Sequence, residues 1–504
     1  MINKPIVKII FWTVLLLLSL VLGRSLRLPG YNVIPDPYII LDEHTHVWNG
    51  LSLRSTGIPA AWSILDSYLT NSRKFGAGGR VDGFNISVDD VKPSFKNFRS
   101  FPKPAIAVVE LDFGRGLSQT QIVQPSLEHP PLGAIILSLG VSKNAKTFAD
   151  VNNYDLRQSA ITIAMFTQIL IFILTLLITK KPLVGLIAST IYATVPSYIL
   201  LSRYALLENV VSPLILAEII LLILAKNRFI NKKTDKLFGI FIFLAGIVGG
   251  LSALTKITGW VYILGFAILL YIWKFKFKQI LSFVLPAFLV GMLYFVLGFY
   301  LSPRLFTDIL LLQGSRDFIG SINLLVTIFR VSIYNFPLDG WWTGGFIALL
   351  LIPKKKEYLP IIIPVVVGLF SAIGLVGANY PWYFIPLVPF MAIAIAIFFY
   401  NLAVTPTFTS ILFTFFVFVS SSFYWGYGVF QKVQPFMLYR LIFLLFIVTG
   451  VFWALSQKTY KYRVIWFVGV ILLFIILTVL NRRSMFYILE NWGKLPLIYT
   501  PGTF

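Results

Sequence analysis

Cysteine is absent from this 504-residue chain, and charged side chains make up only 12% of it. The first absence excludes disulfides and thiolate chemistry and says little about compartment. The second excludes an ordinary water-soluble domain, in which roughly a quarter of the residues are charged. Acids are the scarcer sign: 20 Asp and Glu stand against 42 Lys and Arg, for a net charge of +22. Histidine occurs three times. With no basic soluble domain, nucleic acid is excluded as a partner. The positive excess points instead to loop topology, and secondarily to an anionic lipid or lipid phosphate.

What abounds is apolar surface, with 58% hydrophobic residues and a mean hydropathy of +0.84. Runs long enough to span a bilayer, which takes about 20 residues, lie near 7–23, 157–179, 183–201, 207–225, 237–254, 258–273, 279–301, 335–352, 358–377, 382–400, 407–425, 437–455 and 463–480. They predict an all-α polytopic membrane protein of about 13 transmembrane helices, within a range of about 11 to 13. The run near 335–352 is the weakest, being short and broken by Pro337 and Gly340. Residues 7–23 have the length of a signal-peptide core, but Leu22-Gly23-Arg24-Ser25 is not a small-x-small cleavage site. They are therefore expected to remain as the first span.

Charge orients the spans. With Lys4 and Lys8 inside, the even-numbered connections are cytoplasmic, and they hold Lys180-Lys181, Lys226 to Lys236, Lys274 to Lys278, Lys354 to Lys356 and Lys458 to Arg463. The connection near 401–406 is silent, and Arg482-Arg483 oppose the pattern. The expected setting is a multi-pass protein of the cell (plasma) membrane with a cytoplasmic N-terminus. Four regions follow: a first transmembrane helix over 1–23, a large extracytoplasmic loop over 24–156, a transmembrane core with outer turns over 157–400, and C-terminal transmembrane helices over 401–504. Twelve of the acids and all three histidines fall in the 24–156 loop. Within it, 54–75 and 131–150 have the mixed periodicity of helices lying at the membrane interface. The stretch 76–104, rich in Gly, Pro, Lys and Asp, reads as irregular.

Five clusters carry the candidate chemistry. Asp42-Glu43-His44-Thr45-His46 places adjacent carboxylates near a membrane surface, which suits a general base. With its histidines the cluster also suits a divalent cation. The ordinary alternative is a solvated loop or a helix cap. Glu128-His129-Pro130-Pro131-Leu132-Gly133 holds an acid and a histidine on a rigid proline turn. Arg203 and Glu208 lie at the boundary between two spans, where an arginine can clamp a phosphate or pair with its neighbour. Lys256 is an isolated cation between apolar runs that can meet an anionic leaving group or snorkel to headgroups. Asn379 to Phe390, with Tyr383 near its start, is an aromatic and proline-rich helix entry of the kind that also forms aromatic belts. Glu218 is the one acid in the middle of an apolar run.

In this order the clusters resemble the glycosyltransferase C (GT-C) superfamily, and within it the protein O-mannosyltransferase and aminoarabinose transferase branch. The matching segments are Asp42-Glu43, His129 to Gly133, Arg203 to Glu208, Gly250-Leu251 with Thr255-Lys256, and Tyr383 to Pro389. The resemblance covers about 7 to 400, and the stretch 76–127 matches nothing recognisable. It implies a GT-C-like fold and an inverting transfer of a sugar from a polyprenyl-phosphate donor to an acceptor hydroxyl on a protein, a lipid or a glycan. It further implies Asp42 as base, Glu43 orienting acceptor or donor, and Arg203 and Lys256, with Glu208 and Tyr383, at the donor phosphate. Glu128 and His129 would shape the sugar pocket. The family includes members that work without a metal, so no cofactor is certain, and a divalent cation at His44, His46 and His129 is an option. The rival from another class is a transporter or flippase of a lipid-linked or small anionic substrate. Such proteins show repeated halves and broken helices at mid-membrane. No repeated halves are visible here, and only Glu218 favours that reading.

Overall fold

The computed structural model describes residues 4–35, 42–63, 105–112, 117–142, 145, 150–230, 236–314, 332–333, 336–337, 339–352, 355–374, 381–425 and 435–492. The chain enters as α1 (Lys4–Arg27), then forms α2 (Asp42–Thr56), three strands and α3 (Pro131–Ser138) before the main bundle. The bundle comprises α4 (Asn153–Thr179), α5 (Pro182–Thr194), α6 (Pro196–Leu201), α7 (Leu207–Ile230), α8 (Lys236–Thr255) and α9 (Gly259–Ile272). It continues with α10 (Phe277–Gly291), α11 (Leu293–Leu301), α12 (Pro303–Gly314), α13 (Gly340–Leu351), α14 (Leu359–Gly374) and α15 (Val388–Val404). Last come α16 (Phe408–Phe423), α17 (Pro435–Ser456) and α18 (Tyr460–Glu490).

Eight described helices are long and apolar enough to cross a membrane, and shorter apolar helices at Pro182–Thr194, Gly259–Ile272, Gly340–Leu351 and Phe408–Phe423 accompany them. The protein is therefore a multi-pass, almost wholly helical membrane protein. These lengths do not by themselves establish the expected count of 13, because several of the expected runs form helices of fewer than 18 residues, one of them interrupted before Pro196.

The polar segment after α1 departs from the sequence reading in three ways. The Asp42 cluster is not a loop: it opens α2, with Asp42 and Glu43 in the first turn, where carboxylates complement the helix dipole. The expected helix over 54–75 is not formed in its described part. Helix α2 ends at Thr56, Gly57 takes a left-handed conformation (φ 73°), and Ala61–Trp62 is strand β1. With β2 (Ala105–Asp112) and β3 (Leu117–Gln124) it makes an antiparallel sheet in the order β1-β3-β2, in which Ala61 faces Val123 and Ala105 faces Gln124. Of the expected helix over 131–150, the described residues form the short α3 and a turn at 139–140, and residues 143–144 and 146–149 lie outside them. The irregular stretch 76–104 lies outside the described residues.

Two polar devices inside the apolar bundle fix the elements that carry the site. Gln168 of α4 donates to the Ser19 carbonyl and hydroxyl of α1, each at 3.0 Å, and to Ser189 of α5 at 3.2 Å. A hydrogen bond between spanning helices has no water to compete with it, so this knot holds the first span to the bundle. Arg27, at the end of α1, is fully buried and donates to Ser202 and to the carbonyls of Gly23, Tyr192 and Ala193. Glu218 has no such arrangement. It is buried in α7 against Gly249 of α8, where a Cβ would stand 2.6 Å from its Oε1, and neither carboxyl oxygen has a hydrogen-bond partner among the described residues. An ion or proton path needs a succession of such groups, and Glu218 is bonded to no successor among them.

Candidate functional site

The site is built where the polar segment meets one end of the bundle. Helices α2 and α3 lie side by side, run in the same direction and stay in step turn by turn. His46 meets His129 (ring centroids 5.1 Å), Gly50 abuts the Ala134 carbonyl, and Arg54 donates to the Ser138 carbonyl at 2.9 Å. A Cβ at Gly50 would stand 1.9 Å from the Ala134 oxygen, so glycine is what allows the approach. Asn49 reaches Ser126 across the same seam. Beneath it, Val47, Trp48, Leu51, Leu137, Leu156, Leu207 and Val210 form one apolar cluster that seats both helices on the bundle.

The proline turn then delivers its residues to the bundle end. Pro131 begins α3, where its missing N–H costs nothing. Tyr294 of α11 donates to the Leu127 carbonyl at 2.9 Å and fixes the turn from behind. Gly133 presses on Leu207 and Thr255, with a Cβ position 2.6 and 2.7 Å from their side chains. This contact brings His129 toward Lys256, the residue that follows Thr255. The Lys256 ammonium pairs with Glu208 at the start of α7 and lies 4.8 Å over the Tyr383 ring. Tyr383 comes from the 3-10 turn Pro381–Leu387 that leads into α15. Burial, then the His129 and Lys256 charges, hold the His46 imidazole well below its ordinary range. Asp42 is half-buried, one turn before His46 on the same face of α2. Thus His46, His129, Glu208, Lys256 and Tyr383, which come from five separate stretches of sequence, converge on one face, with Asp42 at its edge. Glu128 and His129 are half-buried on the turn.

Two of the expected site residues face elsewhere. Glu43 is adjacent to Asp42, and neighbouring helical residues differ by about 100° around the axis. Its carboxylate is fully buried in a bidentate pair with Arg157 of α4 (Nε–Oε1 2.9 Å, Nη2–Oε2 2.6 Å) and accepts the Ala205 N–H at 2.7 Å. It is held by protein groups rather than turned to a ligand. Arg203 is also fully buried, and its Nη atoms donate to the carbonyls of Leu26, Pro29 and Ile34 at 2.8, 3.0 and 2.9 Å. Burial, and then the Arg157 and Arg27 charges, draw it down to about 9, so it stays cationic at neutral pH. The two Nη atoms of Arg203 thus staple the chain leaving α1, while its buried Nε has no hydrogen-bond partner among the described residues, and Lys256 is the cation that stands with Tyr383 and the histidines. Arg157, which the sequence reading leaves aside, is the fixed point of the arrangement. It joins Glu43 to the Tyr31 and Pro35 carbonyls.

The three histidines do not form the expected metal set. His44 and His46 lie two residues apart on one helix, about 200° around its axis, and His44 faces Trp48 (ring centroids 5.3 Å). Among the described residues no three His, Cys, Asp or Glu side chains converge, so these residues do not fit a three-ligand centre.

Burial and the Arg157 charge pull His44 down to about 3 from 6.5. A depressed folded value means that the unfolded chain binds the extra proton. The contribution of His44 to stability is thus full above pH 6.5 and is lost as pH falls toward 3. Replacing His44 by Phe should flatten the fall of stability with acid by up to about 1.4 kcal/mol per pH unit. Unfolding midpoints of the two proteins between pH 7 and 4 check this, and parallel curves would refute it.

The helical end-face with its inserted polar segment defines a polytopic membrane protein of GT-C-like fold. The chain is similar to the structure of ArnT from Cupriavidus metallidurans bound to undecaprenyl phosphate, at 11% identity and a TM-score of 0.52, covering 96% of this chain and 77% of that one. It is also similar to the oligosaccharyltransferase AglB from Archaeoglobus fulgidus in complex with an inhibitory peptide and a dolichol-phosphate, at 13% identity and a TM-score of 0.42, covering 95% and 56%. Within the chain, residues 125–307 match the dolichyl-phosphate-mannose-protein mannosyltransferase family. That stretch runs from the proline turn through Arg157, Glu208 and Lys256 to α12. No curated protein sequence matches the chain.

Proposed function

We propose that the protein is an inverting membrane glycosyltransferase that moves a sugar from a polyprenyl-phosphate donor to an acceptor hydroxyl on the extracytoplasmic side. The observation that carries this reading is the convergence of Lys256, Glu208, Tyr383, His46 and His129 at one end of the bundle, within the 125–307 family match for all but Tyr383 and His46. ArnT, whose fold the chain shares, binds undecaprenyl phosphate. A donor whose lipid lies in the bilayer must present its phosphate at the membrane edge, and the cluster stands where a spanning helix ends.

The transfer then runs as follows. The Asp42 carboxylate accepts the proton of the acceptor hydroxyl as its oxygen bonds to the anomeric carbon. The bond from that carbon to the phosphate oxygen breaks on the opposite face, and the electron pair leaves with polyprenyl phosphate. Lys256 meets the growing negative charge, while Glu208 and the Tyr383 ring hold the ammonium in place. A preorganised cation in a water-poor pocket stabilises such charge far better than water does. Glu128, His129 and a neutral His46 line the sugar side. Glu43 and Arg203 act at a distance, by fixing α2 and the chain before it.

Membranes carrying the protein should transfer labelled sugar from a polyprenyl-phosphate donor to an acceptor. Lys256→Gln should lower kcat by about a hundredfold or more, with a smaller change in KM for the donor. Full turnover by this variant would overturn the assignment of Lys256.

A further inference from the structure

A second lipid-facing feature lies beside Arg157 and shares no residue with the Lys256 cluster. A cleft of about 280 Å³ opens between the end of α1 and the start of α4, and Arg24, Leu28, Tyr31, Gln158, Ile161 and Met165 line it. Its depth follows from contacts across the two helices. Tyr31 is level with Arg157, to which its carbonyl is bonded at 2.9 Å. Gly23 is level with Gln168, whose Oε1 would meet a Cβ there at 2.5 Å. Arg24 therefore lies close to the level of residue 167, and the cleft runs about 13 Å down α4 from Gln158.

This places an exposed arginine on the bilayer-facing flank, about two and a half turns below the level of Gln158 at the mouth of the cleft. Neither the Arg24 guanidinium nor the Gln158 amide has a hydrogen-bond or ion-pair partner among the described residues. A cation at that depth is costly unless an anion meets it. The walls match an amphipathic molecule: Arg24, Tyr31 and Gln158 present donors, while Leu28, Ile161 and Met165 present apolar surface.

We infer that this cleft binds the phosphate-bearing headgroup of an anionic phospholipid from the leaflet on the side of the polar segment. The phosphate pairs with Arg24, the Gln158 amide and Tyr31 hydroxyl take the remaining oxygens, and an acyl chain descends along Ile161 and Met165. Tyr31 also accepts from Arg157, which holds Glu43 at the start of α2. Occupancy of the cleft therefore stiffens the strap that fixes α2.

The test uses the full-length protein in nanodiscs or detergent, with native mass spectrometry and thermal melting as readouts. The wild type should retain phosphatidylglycerol about tenfold more tightly than phosphatidylcholine and melt higher with it. Arg24→Gln should reduce that preference to the phosphatidylcholine level, and Gln158→Leu should weaken it in part. Millimolar inorganic phosphate, which has no acyl chain, should not displace the lipid. Equal phosphatidylglycerol retention by Arg24→Gln and wild type would overturn the inference, as would an absence of preference for the anionic lipid or displacement by inorganic phosphate. Should Arg24→Gln not fold, Gln158→Leu decides by the same comparison.

Discussion

Asp42→Asn should lower sugar transfer by about two to four orders of magnitude while leaving the protein folded. The substitution keeps the shape of the side chain and removes only its ability to accept a proton. Asp42 is the first residue of α2, half-buried and outside the Glu43–Arg157 pair, so the change leaves that pair intact. The lost charge at a helix N-terminus costs about 0.3–1 kcal/mol, too little to unfold the segment. The loss should fall on kcat rather than on the KM for the lipid donor, and the acidic limb of the pH–rate profile should disappear with it. Transfer assays on purified protein, with melting curves alongside, check both parts. Undiminished kcat would remove Asp42 from the chemistry and leave the Lys256 cluster in need of another base.

The largest expected effect on stability comes from Arg157→Met. It strands the Glu43 carboxylate, which is wholly buried and has the Ala205 N–H as its other donor among the described residues. Removing one member of such a pair costs about 3–5 kcal/mol, since the remaining charge is buried without compensation. It also frees the Tyr31 and Pro35 carbonyls that Arg157 ties. The double variant Glu43→Gln with Arg157→Met should recover a large part of the loss, because no isolated charge then remains. A mere contact would give additive effects, so the cycle separates the two accounts. Unfolding midpoints of the four proteins provide the measurement, and a single Arg157→Met as stable as wild type would refute the role given to the pair. The double variant should still transfer sugar slowly, since α2 loses its anchor and Asp42 its fixed position.

The membrane-spanning architecture was legible because its signals are local. Apolar runs of spanning length can be read one segment at a time. The site was legible only in part. Asp42 with His46, His129, Glu208, Lys256 and Tyr383 were all named from short motifs, but no motif states which way a side chain turns. Asp42 and Glu43 read as one unit in sequence, yet the pitch of α2 sends them to different partners. Arg203 reads as a boundary arginine, and only the fold shows that three carbonyls of the chain leaving α1 receive it. Arg157 was missed because its partner Glu43 lies 114 positions away, and it stands unremarked at the start of an apolar run. Helix α2 was missed because the one clear polar face expected of a surface helix is absent: its first two turns, from Glu43 to Gly50, are buried all round. The sheet was missed since β1 is two residues long and β3 pairs with it across a long stretch of chain.

The parallel seam between α2 and α3 has an evolutionary consequence. The two helices are joined by the 74 residues from 57 to 130, yet what aligns them is their own contacts, His46 on His129, Gly50 on Ala134 and Arg54 on Ser138. Lengthening a connection whose ends are already held costs little, about 0.6 kcal/mol for each doubling. The part of that connection between β1 and β2, residues 63–104, is thus a cassette: it can be lengthened, shortened or exchanged between lineages while the seam contacts, His129 among them, keep their register. Selection can then remodel whatever that cassette contacts without reopening the chemistry beneath it.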